Sequence, residues 1–119
     1  FRLPKGSDEE KTVRSSRIQQ ALQAATDAPL AVMRECFDNM QVAADVAALG
    51  NANASSDVQV GLELLMAGLR GAKLNAAINL VSIKDQGYVE FTTKQAKQLE
   101  GEAERAYEAV LALLSRRAS

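Results

Sequence analysis

Apolar residues recur at intervals of three and four positions along most of this chain, and this spacing constrains the fold more than any other feature. The clearest series comprises Leu30, Met33, Phe37, Met40, Ala44 and Ala47. Since an α-helix has 3.6 residues per turn, such a series lies on one face of a helix. No segment shows the alternation typical of a strand. The sequence therefore predicts an all-α fold, a helical bundle of about four long helices with short connections.

Two of the four helices are predicted in the first half of the chain. The first begins at Ser7, because "SDEE" is a capping box in which Glu10 reaches back to the helix start. It is expected to weaken just before "TDAPL". That segment predicts a new helix, with Asp27 as its cap and Pro29 in the first turn, where a missing N–H costs little. Gly50 is expected directly after the last residue of this helix.

The other two helices are predicted on either side of the segment "NLVSIKDQGY". The third begins at Ser55 or Ser56, where "SDVQ" is another capping box. After a cap signal formed by Ser82 followed by Asp85, the last helix runs from about Tyr88 to Leu114. Its apolar series comprises Leu99, Ala103, Ala106, Val110 and Leu113.

The third predicted helix is apolar or small nearly all round. Its main apolar series comprises Val58, Leu62, Leu65, Leu69, Ala72 and Ala76. Its interior also contains Gly61, Gly68 and Gly71, and each glycine costs ~1 kcal/mol relative to Ala. A helix of this kind is buried on several sides. We therefore expect another backbone or a ligand to approach these glycines closely, and the domain to form a homo-oligomer.

Composition excludes several classes of function. The 119-residue chain is 47% hydrophobic but only 4% aromatic, so its core must use aliphatic residues and Ala, which suits closely packed helices. Balanced charge, 14 basic against 15 acidic residues, argues against nucleic acid or an anionic membrane as the main partner. No apolar run reaches the ~20 residues that span a bilayer. The absence of histidine removes the commonest general base and metal ligand.

The single cysteine, Cys36, indicates a reducing compartment, because no internal disulfide can form. Cys36 lies beside Phe37 in the second predicted helix, and core packing is the simplest role for its side chain.

The segment "GNANASSD", residues 50–57, has two interpretations. It can be a plain connection, made of a C-cap glycine, a short polar loop and an N-cap serine. Alternatively, free carbonyls of one helix end and free N–H groups of the next converge there, beside Asn51, Asn53 and Asp57. That arrangement would suit a ligand that carries both donors and acceptors.

Two further polar groups have the same ambiguity. Asn75 and Asn79 are four positions apart and so share one helix face, although Asn is a poor residue for a helix interior. They either bond to a neighbouring helix or line a polar cleft with Arg70. Lys84 and Asp85 stand side by side near a helix start, where such a pair is usually solvated surface.

The segments "FRLPKGSDEEK", "ATDAPLAVM", "GNANASSDVQVG" and "LRGAKLNAAINLVSIKD" occur in this order. Together they resemble the cyclodeaminase/cyclohydrolase family, which includes the C-terminal domain of formiminotransferase-cyclodeaminase and stand-alone methenyltetrahydrofolate cyclohydrolases. The resemblance extends from Phe1 to about Tyr107. It implies an all-helical, homo-oligomeric, cytoplasmic lyase or hydrolase of folate one-carbon metabolism. The substrate would be a tetrahydrofolate derivative, and no metal or redox cofactor would be needed.

The resemblance also implies roles for individual residues. Asp57 is the expected catalytic carboxylate, which transfers a proton or anchors the pterin ring. Arg70, Lys84 and Lys5 are candidates for the glutamate tail of the folate. The remaining substrate-binding candidates are Asn51, Asn53, Ser56, Asn75, Asn79 and Asp85. Three positions depart from the family pattern: Ala52 and Val81 stand where proline is common, and Ala77 where a bulkier or basic residue is common.

The resemblance places Phe1 in the middle of the family domain. Relatives begin with a further helical region that carries a glycine-rich stretch, and this chain does not contain it. Residues 1–119 are therefore expected to be a single helical domain that forms the C-terminal portion of a longer one. A different class of function stays open at this point, namely a non-catalytic helical module that retains the dimerising half of the family.

Overall fold

The computed structural model describes residues 6–50 and 55–118. Within these ranges the chain forms three α-helices and no strand: α1 spans Asp8–Leu49, α2 spans Ser55–Leu80 and α3 spans Gln86–Ala118. The molecule is elongated, 71 × 24 × 16 Å, because the 42 residues of α1 extend over ~63 Å. The all-α prediction is confirmed, whereas the prediction of four helices is wrong.

The predicted boundary at "TDAPL" does not exist, because Pro29 lies inside α1. Proline has no N–H, so it cannot donate to the carbonyl of Ala25 one turn earlier. Asn79 of α2 replaces that donor: its Nδ2 donates to the Ala25 carbonyl at 3.1 Å. This hydrogen bond, together with the packing of α1 on both sides of Pro29, offsets the ~3 kcal/mol that an interior proline costs. The first two predicted helices are therefore one.

The start of α1 is the one that the sequence predicts. Ser7 has extended backbone angles, and its Oγ accepts a hydrogen bond from the N–H of Glu10 at 3.0 Å. The carboxylate of Glu10 reaches back and accepts from the N–H of Gly6 at 3.4 Å. At the other end, the N–H of Gly50 donates to Val46 O at 2.6 Å. A Cβ at residue 50 would overlap this oxygen, so the close approach requires glycine.

The predicted caps of the other two helices are displaced. The first helical residue of α2 is Ser55, so Ser56 lies within the first turn and is not the N-cap. The N-cap of α3 is Asp85 and not Ser82, because Asp85 Oδ1 accepts from the N–H of Tyr88 at 3.1 Å. Asp is a strong N-cap residue, and its charge also suits the positive end of the helix.

The core lies along the seam of the three helices and is built almost wholly from aliphatic side chains and Ala. The predicted apolar series therefore face inward, and the small Ala side chains let the helices approach closely. The most buried members are Met33, Met40, Leu62, Leu69, Ala103 and Val110. Helix α3 packs against both α1 and α2. The ion pair between Lys73 Nζ and Glu100 Oε1, at 2.6 Å, helps to tie α2 to α3.

The side of α2 that α3 does not cover is apolar and exposed. Large exposed side chains on α1 and α2 include Val32, Val42, Val46, Val60, Leu64 and Ile78. The expected close approaches to the glycines occur only in part. A Cβ on Gly68 would lie 3.3 Å from Cys36 Sγ, whereas a Cβ on Gly61 or Gly71 would meet nothing within 4 Å.

The hydrogen bond that replaces the donor missing at Pro29 can be measured with a double-mutant cycle. Asn79→Ala should lower the free energy of unfolding by about 1 kcal/mol, because it leaves the Ala25 carbonyl without its partner. Pro29→Ala restores the backbone donor, so in that background the same change should cost much less. Denaturant unfolding of the parent, the two single variants and the double variant gives the coupling free energy between Asn79 and Pro29.

Asn75→Ala is the matched control for this cycle. It makes the same change on the same helix, and Asn75 has no hydrogen bond with any described residue. If Asn79→Ala and Asn75→Ala lowered the free energy of unfolding equally, both with Pro29 present and in Pro29→Ala, the role given to Asn79 would be contradicted.

Candidate functional site

A groove of about 630 Å³ opens between α1 residues 25–32 and α2 residues 68–79. We call it the asparagine groove, because Asn75 and Asn79 supply its polar side chains. Its other lining residues are small or apolar: Ala25, Ala28, Pro29, Val32, Gly68, Gly71, Ala72 and Ile78. The absence of side chains on the two glycines leaves room against α2. A concave, mostly apolar surface with a few convergent polar groups is the usual form of a small-molecule site.

The two asparagines that share this groove differ in what they can offer to a ligand. One N–H of the Asn79 amide is used at Ala25 O, which leaves its second N–H and its carbonyl oxygen for a ligand. Asn75 is exposed and has no partner among the described residues, so its amide can both donate and accept. The groove thus provides one complete amide at Asn75 and, about one turn further along α2, one N–H and one carbonyl oxygen at Asn79.

Arg70 does not belong to this groove, although the sequence suggested that it would line one cleft with the two asparagines. Its guanidinium points toward α3 and lies 3.9 Å from Glu104 Oε1. Both side chains are more than half exposed, so this ion pair contributes little to stability. Arg70 lines a separate surface depression formed with α3 residues that include Tyr107.

Lys84 and Asp85 have different environments, although they are adjacent in sequence. Asp85 caps α3 through both its side chain and its carbonyl. Lys84 lines a second concavity, of about 480 Å³, beside Lys11 and Arg14 of α1. The side chain of Gln19 fixes this loop, since its Nε2 donates to Ser82 O at 3.1 Å and its Oε1 accepts from the N–H of Lys84 at 2.9 Å.

Asp57 lies far from these residues. It is exposed in the first turn of α2 and has no hydrogen bond or ion pair with any described residue. Asp57 and Asn75 are about 27 Å apart along the helix axis at 1.5 Å per residue. Asn51, Asn53 and Lys5 lie outside the described residues. Within one chain, the structure therefore separates Asp57 and Ser56 from the asparagine groove.

A polar cluster that the sequence did not indicate joins α1 to the start of α3. The hydroxyl of Tyr88 donates to Asp27 Oδ1 at 2.5 Å and lies 3.1 Å from Gln23 O. Thr26 and Thr92 are buried beside it, and Thr26 Oγ1 donates to Leu22 O at 2.7 Å. Asp27, which the sequence suggested as a helix cap, thus serves as a tertiary hydrogen-bond acceptor.

This environment raises the pKa of Tyr88 above its ordinary value of 10.0. Burial is the largest cause, followed by the hydrogen bond to the Asp27 carboxylate, while the hydroxyls of Thr92 and Thr26 act in the opposite direction. The pKa of Tyr107 is also raised, chiefly by its hydrogen bond to Glu63. Burial and the neighbouring Glu35 raise the pKa of the Cys36 thiol. None of the three side chains is therefore ionised near neutral pH.

Residues 6–50 and 55–118 contain no group of three or more Cys, Asp or Glu side chains placed to hold a metal ion. None of the helices in these ranges is both long enough and apolar enough to cross a membrane.

Both the sequence and the arrangement of the three helices have counterparts among known proteins. A profile of the formiminotransferase-cyclodeaminase family matches residues 1–98. The chain is 42% identical, over 92% of its length, to a methenyltetrahydrofolate cyclohydrolase from Methylorubrum extorquens. It is 36% identical, over 87% of its length, to a formimidoyltransferase-cyclodeaminase from Dictyostelium discoideum. The chain therefore belongs to the formiminotransferase-cyclodeaminase family.

The solved structure of a formiminotetrahydrofolate cyclodeaminase from Thermotoga maritima has the same arrangement. The two superpose with a TM-score of 0.81 at 27% sequence identity, over 97% of this chain. The chain spans only part of each relative: 55% of the cyclohydrolase, 19% of the Dictyostelium protein and 55% of the Thermotoga chain.

The raised pKa of Tyr88 leads to a prediction about stability at high pH. A tyrosine whose pKa is higher in the folded protein adds stability that is complete below the unfolded pKa of about 10 and is lost as the pH rises through the folded value. The free energy of unfolding should therefore fall above pH ~10, and Tyr88→Phe should make this fall smaller. At neutral pH the same variant should be less stable by about 1 kcal/mol.

The chain has two tyrosines, so single variants separate their titrations. Ultraviolet absorbance of tyrosinate in Tyr107→Phe reports Tyr88 alone, and absorbance in Tyr88→Phe reports Tyr107 alone. Both midpoints are expected above the ordinary value. A midpoint for Tyr88 at or below that of a free tyrosine would contradict the environment described here.

Proposed function

We propose that the protein acts on one-carbon derivatives of tetrahydrofolate and that its reaction is the hydrolysis of methenyltetrahydrofolate. The observation that carries this proposal is the 42% identity, over 92% of the chain, to the Methylorubrum cyclohydrolase. Cyclodeamination of formiminotetrahydrofolate is the second candidate. It is supported by the likeness to the Thermotoga cyclodeaminase, with a TM-score of 0.81.

Both reactions need little catalytic apparatus. In the hydrolysis, water adds to the methenyl carbon, which already has cationic character, one carbon–nitrogen bond breaks and a proton is released. In the cyclodeamination, N10 attacks the formimino carbon and ammonia leaves after protonation. Each reaction needs one group that transfers a proton and a fixed position for the reacting atoms. We therefore propose a site without a metal or redox cofactor.

The asparagine groove is the proposed binding surface for the folate ring. A pterin presents donors and acceptors along one edge, which Asn75 can match with a complete amide and Asn79 with a carbonyl. The side chains of Val32 and Ile78, both exposed in this chain, provide apolar surface for the ring faces. Burying that surface against an aromatic ring contributes to affinity.

Asp57 is the proposed proton-transfer carboxylate, and its position requires a second copy of the chain. It lies about 27 Å along α2 from Asn75, so it cannot reach a reacting carbon held in the groove of its own chain. We propose a homodimer or higher homo-oligomer in which the start of α2 in one protomer approaches the asparagine groove of another. The exposed valines, leucines and Ile78 on α1 and α2 support such an association.

Turnover by the full-length protein tests the function and the groove together. Methenyltetrahydrofolate absorbs in the near ultraviolet, so its loss reports hydrolysis, and its appearance from formiminotetrahydrofolate reports cyclodeamination. Asn75→Ala should lower turnover at least tenfold, because a lost donor in such a site costs roughly 10²–10³ and a partly exposed one costs less. Asp57→Asn should lower it by roughly 10²–10⁴, the usual contribution of a general acid–base group.

Each variant has a control with the same chemical change elsewhere. Asn39→Ala alters an asparagine of α1 whose side chain bonds to its own helix at Glu35 O, and Asp38→Asn alters an exposed carboxylate of α1. Both should turn over like the parent. Asp57→Asn should change the thermal midpoint only slightly, since loss of a carboxylate from the first turn of a helix costs ~0.3–1 kcal/mol. Full turnover in Asp57→Asn would remove its catalytic role, and inactivity of the parent toward both substrates would refute the proposed function.

Gly61 provides a test of the oligomer. A Cβ at this position meets nothing within 4 Å in the single chain, so Gly61→Leu should keep or slightly raise protomer stability through its helix propensity. The added side chain would nevertheless obstruct a helix that packs on this side, and light scattering should show a smaller assembly. Gly101→Leu on α3, where the nearest atom belongs to the flexible side chain of Arg105, should leave the assembly unchanged. A monomeric parent protein at micromolar concentration would contradict the proposed oligomer.

A further inference from the structure

The turn that precedes the proline of α1 is held by both of the other helices, and we call residues 23–27 the clamped turn. From α2, Asn79 Nδ2 donates to Ala25 O at 3.1 Å. From α3, the Tyr88 hydroxyl lies 3.1 Å from Gln23 O. Positions 23 and 25 are two residues apart and so point about 200° away from each other around the helix axis. The two helices therefore hold opposite sides of one turn.

The hydroxyl of Tyr88 makes a second and closer contact with the clamped turn. It donates to Asp27 Oδ1 at 2.5 Å, and a hydrogen bond to a carboxylate is stronger than one between neutral groups. Gln23 and Asp27 are four positions apart and share a helix face, so a single hydroxyl bridges the two ends of the turn. Thr26 and Thr92 are buried beside it. Tyr88 thus fixes the clamped turn to α3.

The start of α3, which carries Tyr88, is itself fixed to the rest of the protein. Asp85 caps the helix, and its Oδ1 accepts from the N–H of Tyr88 at 3.1 Å. Ile83, two residues earlier, is buried and anchors the loop before α3 in the core. Gln19 of α1 binds that loop on both sides of Ile83. The Tyr88 hydroxyl therefore has a defined position from which it can hold the clamped turn.

The asparagine groove depends on the clamped turn in two respects. Ala25 lies within the turn and lines the groove directly, and Pro29 lines it one turn later. The carbonyl of Ala25 also orients the Asn79 amide, which donates to it. Because Pro29 removes the backbone donor to this carbonyl, the turn lacks a hydrogen bond that normally keeps a helix regular. A displaced turn would move the Ala25 oxygen and, with it, the Asn79 groups that face the groove.

We propose that Tyr88 is a positioning residue for the asparagine groove, because it holds the clamped turn whose Ala25 carbonyl orients the Asn79 amide. Tyr88 does not line the groove, so it acts only through the turn. Groups that contact a ligand need support of this kind, since small errors in their position weaken binding. The folate ring as the ligand rests on the proposed function, whereas the orientation of Asn79 does not.

The side-chain amide signals of Asn79 in nitrogen–proton correlation NMR spectra test the positioning in the absence of any ligand. Tyr88→Phe keeps the ring and removes the hydroxyl, so the Asn79 amide protons should shift toward the values of a freely solvated amide. The signals of Asn39, whose side chain bonds to its own helix at Glu35 O, should stay in place and serve as the internal reference. Unchanged Asn79 signals in folded Tyr88→Phe would overturn the positioning role.

The affinity for tetrahydrofolate gives the second measurement, because this probe has the ring but lacks the one-carbon unit and is not consumed. Tyr88→Phe and Asp27→Ala should each weaken binding roughly threefold to tenfold, the range of one hydrogen bond. Asp27→Asn keeps an acceptor for the hydroxyl and should bind within about twofold of the parent. In turnover, Tyr88→Phe should raise KM and leave kcat nearly unchanged, as expected when ground state and transition state lose the same binding.

Tyr107→Phe is the matched control. It makes the same change on the same helix, and its hydroxyl also bonds to a carboxylate, that of Glu63. Tyr107 lies about 28 Å along α3 from Tyr88 and does not line the groove. Tyr107→Phe should therefore leave the Asn79 signals and the affinity unchanged, and equal losses in both tyrosine variants would overturn the positioning role. Asp27 is exposed, so Asp27→Ala carries the test if Tyr88→Phe fails to fold.

The outcomes for Tyr88 can be distinguished from those for the proposed function. Folate turnover with an affinity that neither Tyr88→Phe nor Asp27→Ala changes refutes the positioning role and leaves the function intact. A parent protein that neither binds nor converts folates refutes the function. The Asn79 signals then decide the positioning role alone: a shift in Tyr88→Phe that is absent in Tyr107→Phe supports it, and no shift refutes it.

Discussion

The continuity of α1 through Pro29 is the constraint on which the rest of the structure depends. An interior proline costs ~3 kcal/mol and normally ends or kinks a helix. Here the carbonyl left free at Ala25 is taken by Asn79, and the helix continues from Asp8 to Leu49. Because α1 stays in one piece, α2 and α3 pack along one long support. The asparagine groove and the concavity beside Lys84 consequently lie in line on a single helix face.

Helix length also determines how the polar residues can work together. The 26 residues of α2 hold Asp57 and the asparagine pair near opposite ends, about 27 Å apart. A rigid helix cannot fold back to join them, so a site that uses both must draw them from different protomers. A surface on α1 and α2 that is apolar and uncovered in the single chain is consistent with that requirement. Catalysis and assembly are thus linked in the proposed function.

The sequence predicts those features of this fold that depend on a single helix. The apolar series at Leu30–Ala47, the cap at Ser7 and the shared face of Asn75 and Asn79 follow from helix periodicity and local hydrogen bonds. Features that depend on two helices were missed. A donor from α2 overrides the local signal at Pro29, and the direction of Arg70 depends on where α3 crosses α2. Tertiary packing, which no local pattern records, decides these positions.

The concavity beside Lys84 belongs to the same class of unpredicted features, since it forms where Gln19 of α1 binds the loop between α2 and α3. The residue that links the continuity of α1 to the proposed ring site is Asn79. Its nitrogen completes α1 and its oxygen faces no other described partner, so one side chain serves both the helix and the proposed ring site. A ligand that binds the Asn79 oxygen in this position binds only the protein in which α1 is folded and continuous. Such a ligand therefore stabilises α1 by mass action. In the proposed function, integrity of α1 and occupancy of the asparagine groove are for this reason thermodynamically linked.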